Sequence, residues 1–583
     1  MASIINKDSK LTELPTFNAG ESDFLSLIHS DFHYVDKTNF IEKWWNSGNK
    51  VSLIVRPRRF SKTTILSMVY HLFQGIDFNY LFKGTYIQKN MPADLVGALG
   101  NVNSVLLTFK DISGKTPKKL FDGLRALLVP VYLDYAEYTK EFSEYYGQAP
   151  VKGEDLDSCG ELLTRLSNFL QFVHKKTSKK FIVLVDEYDK FLADAAKVSE
   201  EAGSSYFEDV LDMYRSFLTT MFKDTVFIER AILTGVMPLA ANSVMSAFNN
   251  AVKDTFFSSK YEDIFGFTED EVAAIFSGFD WKPGDDSLER LDGYSSGSIV
   301  VYNPWSIVNL TEQLRTKSEH ASNSWITSGN SDWIEYGKDL EAKDVDVIYS
   351  LISGNEYTVR INHELNYLDR RDSLDNFLTH AFYTGYLTFS GSTADTASLI
   401  IPNEEVQEAW VSNLHRLVVP KHVRFNWSKV LEQMDESSEF AERLEGELSN
   451  LLDDCTSSWD LVDKENSYHM WVLGMLSTLS GTHKVASNRE AGDGRYDIAV
   501  TPVSGKVMRN YVFELKKSNS QQALDTDTEV AVNQVLDNRY YKFFNNKYDM
   551  VVVGIAAYKK HVKVKIKVVS YKELTQDMKL FGE

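Results

Sequence analysis

Two carboxylates and a lysine near the end of the chain have the types and spacing of a metal-dependent hydrolytic site. Asp497 lies in Arg495-Tyr-Asp-Ile-Ala-Val500, a strand-like run after the turn Gly492-Asp-Gly494. Glu514 stands seventeen positions further on, in Tyr511-Val-Phe-Glu-Leu-Lys516. Side chains alternate along a strand, so Glu514 and Lys516 point to one face. If the two strands pair as a hairpin, Asp497 meets Glu514 there. Paired carboxylates offer hard oxygen ligands to magnesium or manganese, and the lysine can position or activate water. An E-x-K on an amphipathic strand is also a common solvated face, so spacing alone leaves both readings open.

A second set lies early in the chain. Arg56-Pro-Arg-Arg-Phe-Ser-Lys62-Thr63 joins an apolar strand, Val51-Ser-Leu-Ile-Val55, to a helical pattern from Thr63 to Phe73. Backbone N–H groups and a helix N-terminus at such a junction can cradle phosphates. Lys62 would neutralise them and the Thr63 hydroxyl would ligate magnesium, with Arg58, Arg59, Ser61 and Thr64 completing the ATP-binding segment. The usual pattern, G-x-x-x-x-G-K-[ST], has glycine where Arg56 and Ser61 stand, and glycine before the lysine relieves backbone strain. The segment alone equally suits a basic turn at a surface. Phe181-Ile-Val-Leu-Val-Asp186-Glu187 tips the balance: its Asp would help hold magnesium and its Glu polarise water. Those two carboxylates also suit the start of a helix. Thr234, ending the strand Ala231-Ile-Leu-Thr234, is placed to sense a γ-phosphate.

These residues need strands that end where the chemistry is. The first half alternates apolar runs with helical stretches, the rhythm of a parallel sheet with crossover helices. Ser104–Phe109, Lys180–Val185 and Thr225–Ile228 through Thr234 supply further strands. From Thr268 to Lys421 the strand signal weakens and a mostly helical segment is expected, with Lys317–Asp332 as a polar loop. A compact α/β rhythm comes after it. The expected organisation is a P-loop α/β domain over 1–267, a mostly helical middle domain over 268–425, and a C-terminal α/β domain over 426–583 with an acidic helical lead-in, 426–460.

A length of 583 residues implies several domains. Cys159 and Cys455 are the only cysteines. They provide neither a disulfide framework nor zinc-ligand spacing, as suits a reducing compartment. The opening residues lack the apolar core of a signal peptide and no apolar run reaches membrane-spanning length. An intracellular protein, cytoplasmic or nuclear and not secreted, is expected. The net charge of −20 argues against a generally basic nucleic-acid coat while permitting a local basic groove. Ten acidic residues against Arg443 between Glu432 and Asp460 read as a solvated helix face. Lys563, Lys565 and Lys567 alternate with apolar residues and suit a protected edge strand better than a phosphate-binding face.

Tyr34-Val-Asp-Lys-Thr38, the Arg56–Thr63 segment, Val185-Asp-Glu-Tyr-Asp189, Leu233-Thr-Gly-Val236, Asp292-Gly-Tyr294, Tyr302-Asn-Pro-Trp-Ser-Ile307 and Thr384-Gly-Tyr-Leu-Thr388 occur in this order. Together they resemble the AAA-ATPase-like family that carries a C-terminal PD-(D/E)XK nuclease domain. That family's loop also lacks the first glycine but keeps the second, so Ser61 is a departure that bears on nucleotide affinity and turnover. Ser487-Asn-Arg-Glu-Ala-Gly-Asp-Gly-Arg-Tyr-Asp497 resembles its nuclease signature, and Tyr468-His469 its upstream helix box. The resemblance implies a fold of AAA-like sheet plus restriction-endonuclease-like domain. It implies ATP and Mg2+ (or Mn2+) as cofactors. Lys62, Thr63, Asp186 and Glu187 would serve ATP; Asp497, Glu514, Lys516 and Gln534 would serve cleavage, with Tyr540 beside Gln534 and Glu465 as a further acid near the metal. Asp189 and the Tyr302–Trp305 box read as structural. The expected function is an ATP-gated, metal-dependent nuclease acting on nucleic acid, with DNA favoured, no membrane partner and a homo-oligomer allowed. The alternative is a signalling or scaffold ATPase whose C-terminal domain binds nucleic acid without cutting it.

Overall fold

The computed structural model describes residues 4–5, 16–30, 32–146, 151, 153–238, 251–277, 288, 290–291, 293–316, 342–369, 372–414, 425–455, 465–479, 482–491, 493–503, 507–544 and 548–574. Two compact units result, both discontinuous in sequence: residues 1–325 with 359–397, and residues 326–358 with 398–583.

The first unit is built on five parallel strands: β1 (Val51–Val55), β2 (Val102–Thr108), β3 (Lys180–Asp186), β4 (Ile228–Gly235) and β5 (Ala251–Asp254). Their spatial order is β2-β3-β4-β1-β5. The crossovers carry α1 (Lys62–Leu72), α2 (Pro117–Asp134), α3 (Leu156–Thr177), α4 (Lys190–Ala202) and α5 (Tyr206–Phe222). β1 is buried along its whole length and β3 from Phe181 onward, as expected for strands covered on both faces. α3 shows the local logic of the helices. Asp155 accepts from the Ser158 N–H at its start, lysines occupy its last turn, and Leu162, Leu166, Phe169 and Val173 bury one stripe. β1 and β3 are parallel, with β4 between them, so their carboxyl ends open on the same edge of the sheet.

The segment expected to be a separate helical middle domain is divided between the two units. It contains helices, among them Glu269–Phe276, Pro304–Thr316 and Leu374–Thr384, and also short strands. Phe267–Thr268, Ile299–Tyr302 and Tyr294–Ser296 form one antiparallel sheet in that order. Strands of two to four residues are too short to show an alternation that can be read from sequence. The Lys317–Asp332 loop lies outside the described residues.

The second unit holds a mixed sheet of β6 (His483–Ser487), β7 (Ile498–Pro502), β8 (Asn510–Lys517), β9 (Met550–Tyr558) and β10 (His561–Val569), in that spatial order. Only β8 and β9 are parallel, joined through α8 (Leu524–Asp537). Other helices pack on this sheet, among them α6 (Ser438–Cys455) against β10 and α7 (Glu465–Leu476) against β8.

The acidic stretch does more than face solvent. β10 is the edge strand, and the N–H groups of Val562, Val564 and Val568 donate to Ser449 Oγ (3.3 Å), Glu445 Oε1 (3.1 Å) and Glu436. Lys563 pairs with Glu445 (3.0 Å) and Lys565 with Glu529 (2.5 Å). Leu444, Leu448 and Leu452 bury the other side of α6. The lysine strand is thus a protected edge, covered by the acidic stretch from Glu436 through α6, with Glu529 of α8 pairing one of its lysines. No described helix is long and apolar enough to cross a membrane.

Candidate functional site

The strand pair β7–β8 places two carboxylates side by side. Ile498 pairs with Phe513, so continuing the antiparallel register by one residue sets Asp497 opposite Glu514. Asp497 Oδ2 accepts from the Leu515 N–H (2.7 Å), which fixes the carboxylate against the neighbouring strand. Glu514 is almost wholly buried. Its Oε1 accepts from Lys516 Nζ (3.2 Å) and from Gln534 Nε2 on α8. Its Oε2 is buried with no hydrogen-bond partner among the described residues. Burial first, and the Asp497 charge second, push the Glu514 carboxyl up to about 8, with Lys516 pulling the other way. A buried, unsatisfied carboxylate oxygen beside a second carboxylate is what a divalent cation would complete.

The surroundings stiffen this arrangement. Gln534 Nε2 also reaches Tyr540 Oη (3.4 Å), which accepts from Asn538 Nδ2 (3.0 Å). A Cβ at Gly494 would stand 3.1 Å from both Asn538 Nδ2 and Tyr540 Oη, so the turn before Asp497 packs closely on these groups. His469, on α7, is buried with Nε2 2.9 Å from Ser487 Oγ and Nδ1 3.6 Å from Asp497 Oδ1. The Tyr349 hydroxyl approaches the same Nδ1 at 3.4 Å. The helix box holding His469 is visible in the sequence; its approach to Asp497 depends on a tertiary contact that no spacing reveals. Glu465 opens α7, but its side chain lies outside the described residues. Among the described residues no three His, Cys, Asp or Glu side chains converge to hold a metal. A cation here would be held by Asp497 and Glu514, with water or phosphate oxygens supplying the rest, as magnesium commonly accepts.

At the carboxyl edge of the parallel sheet, Asp186 sits between two hydroxyls. Thr63 Oγ1 donates to its Oδ2 and Thr234 Oγ1 to its Oδ1, each at 2.7 Å. Residues from β3, β4 and the β1–α1 junction therefore meet at one point, where open α/β sheets bind ligands. Lys62 Nζ donates to the carbonyls of Arg56 (3.0 Å) and Pro57 (2.6 Å), and burial lowers its pKa to about 8. Glu187 has a left-handed backbone (φ 50°), and burial followed by the Asp186 charge raises its carboxyl. Arg58 is exposed, and Thr64 is half-buried in the first turn of α1.

The loop itself has alternating backbone signs. Arg59 (φ 66°) and Ser61 (φ 57°) are left-handed, whereas Arg58, Phe60 and Lys62 are not. Alternation of this kind turns successive N–H groups into a common concavity suited to an anion. Each left-handed L-residue costs ~1 kcal/mol or more. Arg56, in the place of the first glycine, is fully buried and pairs with Asp254 (2.5 Å). Asp189 accepts from the N–H groups of Val236 (3.0 Å) and Met237 (2.8 Å) and from Tyr367 Oη (2.9 Å), tying the turn after β3 to the turn after β4. Arg230 lies over the Trp45 ring at 4.3 Å.

A phosphate-type cradle on a parallel sheet, followed by a carboxylate pair on a mixed sheet, defines a nucleotide-binding protein with a nuclease-like domain. Comparison with known proteins agrees. Residues 18–245 match the family model described as predicted AAA-ATPase, and residues 463–567 match that of the PD-(D/E)XK nuclease superfamily. The chain therefore carries an AAA-ATPase-like domain and a PD-(D/E)XK nuclease superfamily domain. It is 27% identical over 292 residues to an uncharacterized protein in the vnfD 5′ region of Azotobacter chroococcum mcd 1. That alignment covers 48% of this chain, which spans about half (49%) of the relative's length. Aeropyrum pernix ORC2, solved as ADPNP-ADP complexes, aligns over 70% of this chain and 98% of its own at 12% identity. The TM-score of that superposition is 0.25.

Proposed function

We propose that this protein is a metal-dependent nuclease of nucleic acid, with DNA the favoured polymer, whose activity is gated by ATP bound at the Lys62–Thr63 loop. The observation that carries the nuclease reading is Glu514 Oε2, buried and unsatisfied beside Asp497. Gln534 and Lys516 engage only the other oxygen of Glu514, which leaves Oε2 to a cation shared with Asp497. Magnesium or manganese bound there would lower the pKa of a water and offset charge on the scissile phosphate. Lys516 supplies a positive charge on the same strand face, able to orient that water or neutralise the phosphate. In the first unit, Lys62 would meet the β/γ-phosphates, Thr63 and Asp186 a magnesium ion, Glu187 the attacking water and Thr234 the γ-phosphate. Arg58, Arg59, Ser61 and Thr64 would line the cradle.

Nicking of supercoiled plasmid tests this reading. Cleavage should require Mg2+ or Mn2+, stop with chelator, and fall by at least about 100-fold in Asp497→Ala, Glu514→Ala and Lys516→Ala, in line with loss of electrostatic stabilisation at a reacting centre. Cleavage by the Glu514→Ala protein that persists in chelator would refute it.

A further inference from the structure

No glycine occurs from Arg56 to Lys62, yet the loop holds two left-handed residues. Backbone freedom does not explain its shape, so its side chains must hold it. Three of them are anchored by contacts with residues outside the loop. Arg56 is locked to Asp254 and lies 5.1 Å from the Phe256 ring and 5.0 Å from the Phe265 ring. Phe60, fully buried, packs edge-on against Phe256 (5.2 Å) and Tyr294 (5.1 Å). Arg59, itself left-handed, lays its guanidinium over the Trp305 indole, 3.9 Å from the ring centroid. The backbone that carries the indole is tied down at the start of its helix. Buried Asn303 caps its helix, Oδ1 accepting from the Trp305 N–H at 2.9 Å.

We propose that Trp305 is a positioning residue of the nucleotide site, holding the phosphate-binding loop in its alternating conformation through the guanidinium of Arg59. This inference deepens the reading of that loop as a phosphate cradle, and rests on it. The stack involves a planar cation on the most favourable aromatic face, a pairing that lysine would not reproduce. It acts at the left-handed residue farther from α1, where the helix gives the backbone least support. It also gives the Asn-Pro-Trp turn a task beyond packing: carrying one ring to one arginine, more than two hundred residues away in sequence.

The test uses the full-length chain. Hydrogen exchange of the loop amides from Arg58 to Lys62 is followed without nucleotide in wild type, Trp305→Ala, Arg59→Ala and the double variant. Each single change should speed exchange by about ten-fold, equivalent to about 1.4 kcal/mol of local opening, and the double variant no further. Trp305→Phe should keep most of the protection. Unchanged exchange, or effects that add, would overturn the proposal. Arg59→Ala and Arg59→Lys, which leave the ring in place, carry the test if Trp305→Ala fails to fold. Affinity for a fluorescent Mg-ATP analogue should fall by about ten-fold in the same variants, and Ser61→Gly should restore part of it in the Trp305→Ala background. That recovery should exceed the gain Ser61→Gly brings in the wild-type chain; a merely structural tryptophan would give equal gains in the two backgrounds, and equal gains count against the proposal. If the wild-type chain binds no ATP while loop exchange responds as expected, the nucleotide reading falls and the anchoring stands.

Discussion

Ser61 shows how far one residue can be read from sequence. Its departure from glycine is plain there, and so is the cost of a left-handed L-residue before the lysine. The observed φ of 57° is that conformation. What the pattern does not reveal is the support around it, because Asp254, Phe256, Tyr294 and Trp305 are distant in sequence. Ser61→Gly should tighten ATP binding a few-fold, since ~1 kcal/mol of strain is removed. Titration with a fluorescent ATP analogue measures this, and weaker binding by the glycine variant would contradict it. Glu514 makes a pH prediction. Its folded pKa, about 8, lies above the ordinary carboxylate value of 4.5. The folded chain therefore holds a proton that the unfolded chain has lost, and metal-free stability should fall as pH rises from about 4.5 to about 8. Thermal unfolding should show that slope, Mg2+ should offset it at the upper end, and Glu514→Gln should flatten it.

At the scale of elements, strand periodicity is sufficient to put Glu514 and Lys516 on one face, and the hairpin register that brings Asp497 opposite Glu514 is present in the fold. Periodicity is insufficient elsewhere. The strands at Tyr294–Ser296 and Ile299–Tyr302 are too short to announce themselves, and a helix like α6 looks solvated until its partner is known. α6 supplies hydrogen-bond acceptors to the free edge of β10, in place of a neighbouring strand. Glu445 both accepts from the Val564 N–H and pairs with Lys563. Glu445→Ala should cost about 1–3 kcal/mol, by leaving an edge N–H unmet and a lysine unpaired. It should also promote edge-to-edge association. Chemical denaturation and light scattering at rising concentration measure these effects; a variant as stable and as monodisperse as wild type would show that the acidic helix is only a solvated face.

At the scale of the whole molecule, the chain passes between its two units three times. Composition and loop signals read along one dimension cannot reveal a discontinuous unit, which is why they suggest a separate middle domain. Gating by ATP requires that nucleotide alter the second unit's activity by a differential free energy, whatever the path. Lys62→Ala should abolish ATP binding, leave ATP-free cleavage at the wild-type rate and remove any response to ATP. A Lys62→Ala protein that still responds to ATP would separate the gate from this loop. Nuclease activity depends first on Asp497 and Glu514 forming a divalent-cation site. Calorimetric titration of the nucleotide-free protein with Mn2+ at pH 6, 7 and 8.5 tests that directly. Binding should tighten with pH and release a proton at pH 7, because Glu514 must ionise to bind, and it should vanish in Glu514→Gln. Equal, pH-independent binding by wild type and Glu514→Gln would contradict it.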